Sequence, residues 1–179
     1  MPLYEFEGKR PTIDPTAWIA DSADIIGDVR IGPYCYVGWH AVLRGDHGSI
    51  LIDAGSAVEE GGIVHTSPDF VSRIGPEATI GHGAMLHNAT IEAFVVIGVR
   101  ATVSNFATVG EWAIIGEMGL VRERQLIPPG MIAVGQPVTV IGQIEQRHKE
   151  RWLAAKKRYQ AFTRRNKKGL RRIDREETG

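Results

Sequence analysis

Aliphatic residues recur at every sixth position along most of the chain. The beat runs through Ile19, Ile25, Ile31, Val37 and Leu43, resumes at Ile52, Val58 and Val64, and again at Ile74, Ile80 and Leu86. It then holds unbroken through Ile91, Ile97, Val103, Val109, Ile115, Val121 and Ile127. Its three slips fall after Leu43, Val64 and Leu86. The residue after an anchor is often glycine (Gly32, Gly38, Gly75, Gly81, Gly98, Gly110, Gly116), and the residue four after it is usually small, as at Ala23, Cys35, Ala41, Ser56, Ala78 and Ala84.

A period of six fits neither a helix nor a simple alternating strand. It fits a coil of triangular cross-section, in which each hexad supplies one short flat side and its anchor points inward. Stacked coils would hydrogen-bond as parallel strands about 4.8 Å apart, and hexapeptide repeats are a signature of parallel β-helices. The pattern therefore predicts an all-β parallel β-helix of roughly six coils over residues 19–132. Glycine after the anchor would supply the backbone angles of the corners. The turn signals that a β-sandwich would show every 8–12 residues are missing. The period itself leaves the hand of the coil open. Pro128 and Pro129 mark its end.

Beyond the coil the rhythm changes. Ile144, His148, Trp152, Ala155, Tyr159 and Phe162 recur every three or four residues, which predicts an amphipathic α-helix. A basic tail follows, with Arg164-Arg165-Asn166-Lys167-Lys168 and then Arg171-Arg172. The chain so divides into a β-helix domain over residues 1–142 and a basic C-terminal helix and tail over 143–179. The zero net charge hides that division, since the first part carries −8 and the second +8. An acidic body can neutralise a basic helix lying along it or along its neighbour, so no nucleic-acid partner is expected. No segment approaches the roughly 20 apolar residues of a membrane span. The opening Met1-Pro2-Leu3-Tyr4-Glu5 is no basic-then-apolar leader. Cys35, the single cysteine, cannot form an internal disulfide and reads as a small core residue; a reducing cytoplasm is the expected setting.

Three histidines carry the chemistry. His65 and His87 each directly follow an anchor, Val64 and Leu86, and are separated by one coil plus the short insertion 66–73. They are expected to stack on one edge, one rung apart, near enough to share a metal. His82 lies on a different side of the prism and reaches that metal only from another chain. A heterologous contact of this kind closes into a ring with three copies. A homotrimer with three sites is therefore expected, each using His65 and His87 of one chain and His82 of the next. Three neutral imidazoles with one open position describe a catalytic zinc site acting on a small molecule; iron and cobalt are the other candidates. His40 and His148 read as polar turn residues.

The motifs Val42-Leu43-Arg44-Gly45-Asp46, Val64-His65-Thr66 and Ile80-Gly81-His82 followed by Leu86-His87 resemble those of the γ-class carbonic anhydrases. Within that family the similarity is closest to the branch associated with carnitine and phenylacetate operons, and it runs over residues 14–142. The resemblance implies a left-handed coil and His65, His82 and His87 as metal ligands. It implies, too, that Arg44 and Asp46 pair across subunits beside the site. One segment departs from the family. Where its members carry Asn-x-Gln-Asp, this chain has Ala57-Val58-Glu59-Glu60, so that Glu59 stands for the Gln that orients the reacting hydroxide and Glu60 for the Asp. His47, next to Asp46, takes the place of an acidic proton carrier. The leading expectation is hydration of carbon dioxide. Acyl-CoA thioester hydrolysis with Glu59 as base is the alternative, and a trimer that keeps its metal only for assembly is the third reading.

Overall fold

The computed structural model describes residues 2–173; the end of the basic tail, residues 174–179, lies outside them. The chain winds into a left-handed parallel β-helix of about seven turns, closed by one long α-helix. All eighteen sequence anchors point inward and are buried, forming one continuous apolar column with the small corner residues. Seven rungs stack in register along one flat face, pairing Trp18, Tyr36, Ala57, Thr79, Val96, Ile114 and Ile132 in turn. The count exceeds the sequence estimate by about one turn. After the seventh rung, Met131–Gly135 turns back antiparallel onto Val138–Gln143 and ends the parallel stack.

The glycines that follow the anchors do a different job from the one expected. The left-handed backbone angles fall two residues later, at Phe94, Arg100, Phe106, Trp112, Met118 and Arg124, one per hexad. The glycine after the anchor is required instead by the closeness of the next coil. A Cβ on Gly98 would stand 2.6 Å from the Glu117 backbone nitrogen.

The three slips in the beat lie on top of one another. Leu43, Val64 and Leu86 are register partners, and so are Ile52, Ile74 and Ile91. Three successive coils therefore change length on the same side of the prism. The first does so within the eleven-residue strand Val42–Ile52 and the second through the loop 66–70, before the strand Val71–Ile74. The irregular side begins at the edge carrying Arg44, His65 and His87.

The C-terminal helix spans Gln146–Gly169, so it continues through Arg164–Lys168, where the sequence suggested a tail. It does not cover an end of the column. It lies along the flat face, from Lys149 over the Trp112 ring to Lys167, which donates to the Pro15 carbonyl. Tyr159 meets Tyr36 edge-on, and Tyr36 in turn stacks on Trp18. The apolar stripe read from the sequence is also shifted. Phe162 is exposed, whereas Lys156 and Thr163 are the buried helix residues. Lys156 Nζ donates to Thr79 Oγ1 of the flat face at 3.1 Å. No described helix is long and apolar enough to cross a membrane.

Candidate metal centre

Arg44, His65 and His87 occupy one outward ladder, in register on three consecutive rungs. His65 Nδ1 faces His87 Nε2 at 3.0 Å. The other nitrogen of His87, Nδ1, is hydrogen-bonded to Asn105 Oδ1, and that same oxygen accepts from Asn88 Nδ2 at 3.0 Å. Asn88, fully buried, is itself fixed by Ser67, whose backbone N–H donates to Asn88 Oδ1 at 2.6 Å. An amide oxygen can only accept, so His87 carries its proton on Nδ1 and presents a bare lone pair on Nε2. That is the tautomer a metal ligand needs.

His65 is the second half of the pair. Burial first, then the charge of Arg44 and the neighbouring His87, hold its pKa below the usual imidazole range, so the ring is neutral. Its Nε2 is buried without a hydrogen bond, although Asp46 Oδ1 lies 3.4 Å away. The donor set suits a metal. Two nitrogens of one tetrahedral zinc stand about 3.3 Å apart at ordinary bond lengths, close to the separation found here.

His82 lies outside that pair. Its ring sits between two carboxylates, with Nε2 3.2 Å from Glu59 Oε2 and Nδ1 2.7 Å from Glu60 Oε2. The His82 backbone N–H also donates to Glu59 Oε2 at 3.2 Å. Among the described residues no three His, Cys, Asp or Glu side chains converge as a metal site within the chain. Glu59, only 6% exposed, lies against the Tyr159 phenol of the helix, and Glu60 accepts from Tyr36 Oη at 2.6 Å. Burial, then the adjoining carboxylate, pushes each phenol far above its ordinary pKa, so both remain proton donors.

Arg44 and Asp46 pair within the chain, through one contact of 2.7 Å between Arg44 Nη1 and Asp46 Oδ2. Burial would raise the Asp46 pKa, but the Arg44 bond and the His47 backbone N–H together bring it below the usual carboxylate range. Lys9 Nζ reaches over from the N-terminal segment to the carbonyls of Asp46 and His47. His47 is half-exposed, with Nε2 3.9 Å from Asp46 Oδ2.

Away from the pair, the remaining notable residues are structural. Cys35 is buried, donates to the Asp53 carbonyl, and is pushed by burial to a pKa of about 12, so it is no nucleophile. His40 sits at an exposed turn, and His148 accepts from the Glu145 N–H at the start of the helix.

Asn88, Asn105 and Lys9 were not singled out in the sequence. A signal did exist for the first two, since Asn88 directly follows His87 and Asn105 lies one coil further on. A further feature is a cavity of about 160 Å³ between the coil and the helix, bounded by Val96, Ile114 and Trp152 and reaching Glu59 at one end.

No family model matches the chain. It is 40% identical over 103 residues to the carnitine operon protein CaiE of Escherichia coli, a match covering 58% of this chain and 53% of the relative. The chain thus spans about half the length of the curated relatives it matches. A Bacillus cereus protein assigned as an acetyltransferase superposes with a TM-score of 0.90 at 29% identity, covering 92% of this chain and 96% of that one. A hexapeptide transferase family protein from Anaplasma phagocytophilum gives a TM-score of 0.87 at 28% identity, covering 90% and 96%. Together with the six-residue repeat and the stacked coils, these likenesses make the chain a hexapeptide-repeat protein similar to the CaiE-like proteins.

Proposed function

We propose that the chain is a metal-dependent enzyme of the γ-carbonic anhydrase type, hydrating carbon dioxide at a site shared between copies of itself. The observation that carries this reading is the His65–His87 pair, with its facing ring nitrogens 3.0 Å apart and the His87 tautomer set by Asn105. His65 and His87 would hold zinc, or iron or cobalt, from one chain, and His82 would complete the set from the next chain of a trimer. A metal so bound supplies a Lewis acid that brings the pKa of a coordinated water to about 7.

The chain's own residues do the rest. Asn88 and Asn105 keep the His87 ring in orientation, and Arg44 keeps Asp46 ionised beside His65. His82 would exchange one carboxylate for the partner site and keep the other as its orienting partner, as ligating histidines commonly do. Half-exposed His47, next to Asp46, offers a proton path from the edge to solvent.

Acyl thioester hydrolysis is the second reading, favoured by the apolar cavity that ends at Glu59. There Glu59 would take a proton from water as its oxygen bonds to the carbonyl carbon. The carbon–sulfur bond then breaks, and the thiolate leaves to be reprotonated.

The test is elemental analysis of purified protein, sedimentation, and both assays on the same preparation. The reading expects one metal per chain, a mass near three times 19.7 kDa, and carbon dioxide hydration that is lost on chelation. A metal-loaded monomer, or full activity after the metal is removed, would overturn it.

A further inference from the structure

We infer that the cavity beneath the C-terminal helix is a binding slot for the hydrocarbon tail of a short acyl group, of about six carbons or fewer. This rests on the thioester reading of the site and gives it a substrate class. The slot follows from the way the coils stack. Gly38, Glu59, Gly81, Gly98 and Gly116 follow their anchors on five successive rungs; the first four donate their backbone N–H to the anchor carbonyl of the next coil, and Gly116 donates to the Ala133 carbonyl. Four have no side chain, because the coils approach too closely for one: a Cβ on Gly81 would stand 2.8 Å from the Ile97 carbonyl oxygen. The edge is therefore a bare trough, and Glu59 is the one residue of the row that projects a side chain.

Val96 and Ile114 wall the trough on the flat face, and Trp152 of the helix closes over it. The volume of this half-open slot, about 160 Å³, matches cavities of about 150 Å³ that hold one benzene molecule, hence about six carbons. The lining is hydrocarbon except at its ends. At one end stand buried Glu59 and Thr79; towards the other is exposed Glu117, which meets water. An apolar tail gains by filling such a space, while a chain much longer than six carbons would run out past a carboxylate. The head of a tail seated here lies at Glu59, whose Oε2 is 3.2 Å from His82 Nε2. The slot thus delivers the reacting carbonyl to the ligand histidine and the base together.

The experiment uses the metal-loaded oligomer with two probes. Titration calorimetry follows binding of straight-chain alcohols from ethanol to decanol, neutral probes whose hydroxyl can donate to Glu59. Turnover is followed with N-acetylcysteamine thioesters of the same chain lengths. Affinity should rise about fourfold per methylene, level off near six carbons, and be lost in Val96→Trp and Ile114→Phe, which fill the trough. Trp152→Ala, which enlarges it, should move the plateau to longer chains and covers the case in which a filled variant does not fold. Binding that is flat with chain length, or unchanged in the filled variants, overturns the slot. Chain-length-dependent binding without thioester turnover sustains the slot and overturns the hydrolytic reading. Turnover indifferent to chain length sustains hydrolysis and overturns the slot.

Discussion

His65 and His87, twenty-two residues apart in the chain, are direct register partners on adjacent coils, with Nδ1 of one facing Nε2 of the other at 3.0 Å. The shared metal site proposed for this protein depends on that pair being incomplete within one chain. His65→Ala and His82→Ala should each lose most of the metal, because a site with one ligand fewer holds zinc poorly. Co-refolded in equal amounts, the two variants should recover about a quarter of the sites, the random share of ring interfaces that join two intact halves. Metal content of the mixture measures this, and recovery of none would place the site inside one chain.

Asn105 touches no ligand other than His87, yet it determines which nitrogen of that ring is bare. Asn105→Ala should weaken metal binding by 10–100-fold, the usual cost of removing an outer partner. Asn105→Asp, which keeps an acceptor at that point, should retain most of the affinity. Competition with a fluorescent chelator gives both values.

Glu59 separates the two enzymatic readings by the sign of one substitution. In Glu59→Gln the amide can donate a hydrogen bond where the carboxylate can only accept. Carbon dioxide hydration should therefore rise. Thioester hydrolysis should fall by roughly 10²–10⁴-fold if Glu59 is the general base. Equal rates in both assays would remove Glu59 from the chemistry and favour a metal kept for assembly.

Lys156 makes docking of the helix pH-dependent. It is 3% exposed, and burial brings its pKa from 10.5 to about 8 despite the nearby charges of Glu77 and Glu59. Between those two values the unfolded chain binds more protons than the folded one, so stability should rise with pH from about 8 to about 10.5 and carry its full cost below 8. The span corresponds to a few kcal/mol at most. Urea unfolding followed by tryptophan fluorescence should show this rise in the difference between the wild type and Lys156→Met, since Cys35 and the buried tyrosines titrate alike in both, and Lys156→Met should be the more stable at neutral pH.

His40 holds a left-handed backbone angle, φ 59°, at an exposed turn. His40→Asn should leave stability unchanged or slightly higher, since asparagine visits this region readily. His40→Val should cost about 1–2 kcal/mol. A thermal melt of each distinguishes a turn residue from a hidden participant in the site, whose loss would alter activity instead.

What the sequence determines here is what each hexad settles locally. An anchor every six residues has only the column to enter, so the inward positions, the rungs and the stacking of His65 on His87 all follow from counting. Even the slips in the count carry information, because stacking places them on one side of the prism, beginning at the edge of the site. The tertiary structure decides what depends on neighbours distant in the chain. Which glycines are compelled follows from the distance between coils, a quantity no single hexad contains. That Lys156 is buried while Phe162 is not goes with its hydrogen bond to Thr79, 77 residues away in the chain. The orientation of His87 likewise depends on Asn105, one coil further on, whose value lies in where its oxygen points. The repeat is short-range and periodic, so the sequence displays it; the helix seat and the hydrogen-bond chain behind the ligands are single long-range contacts that leave no period to read.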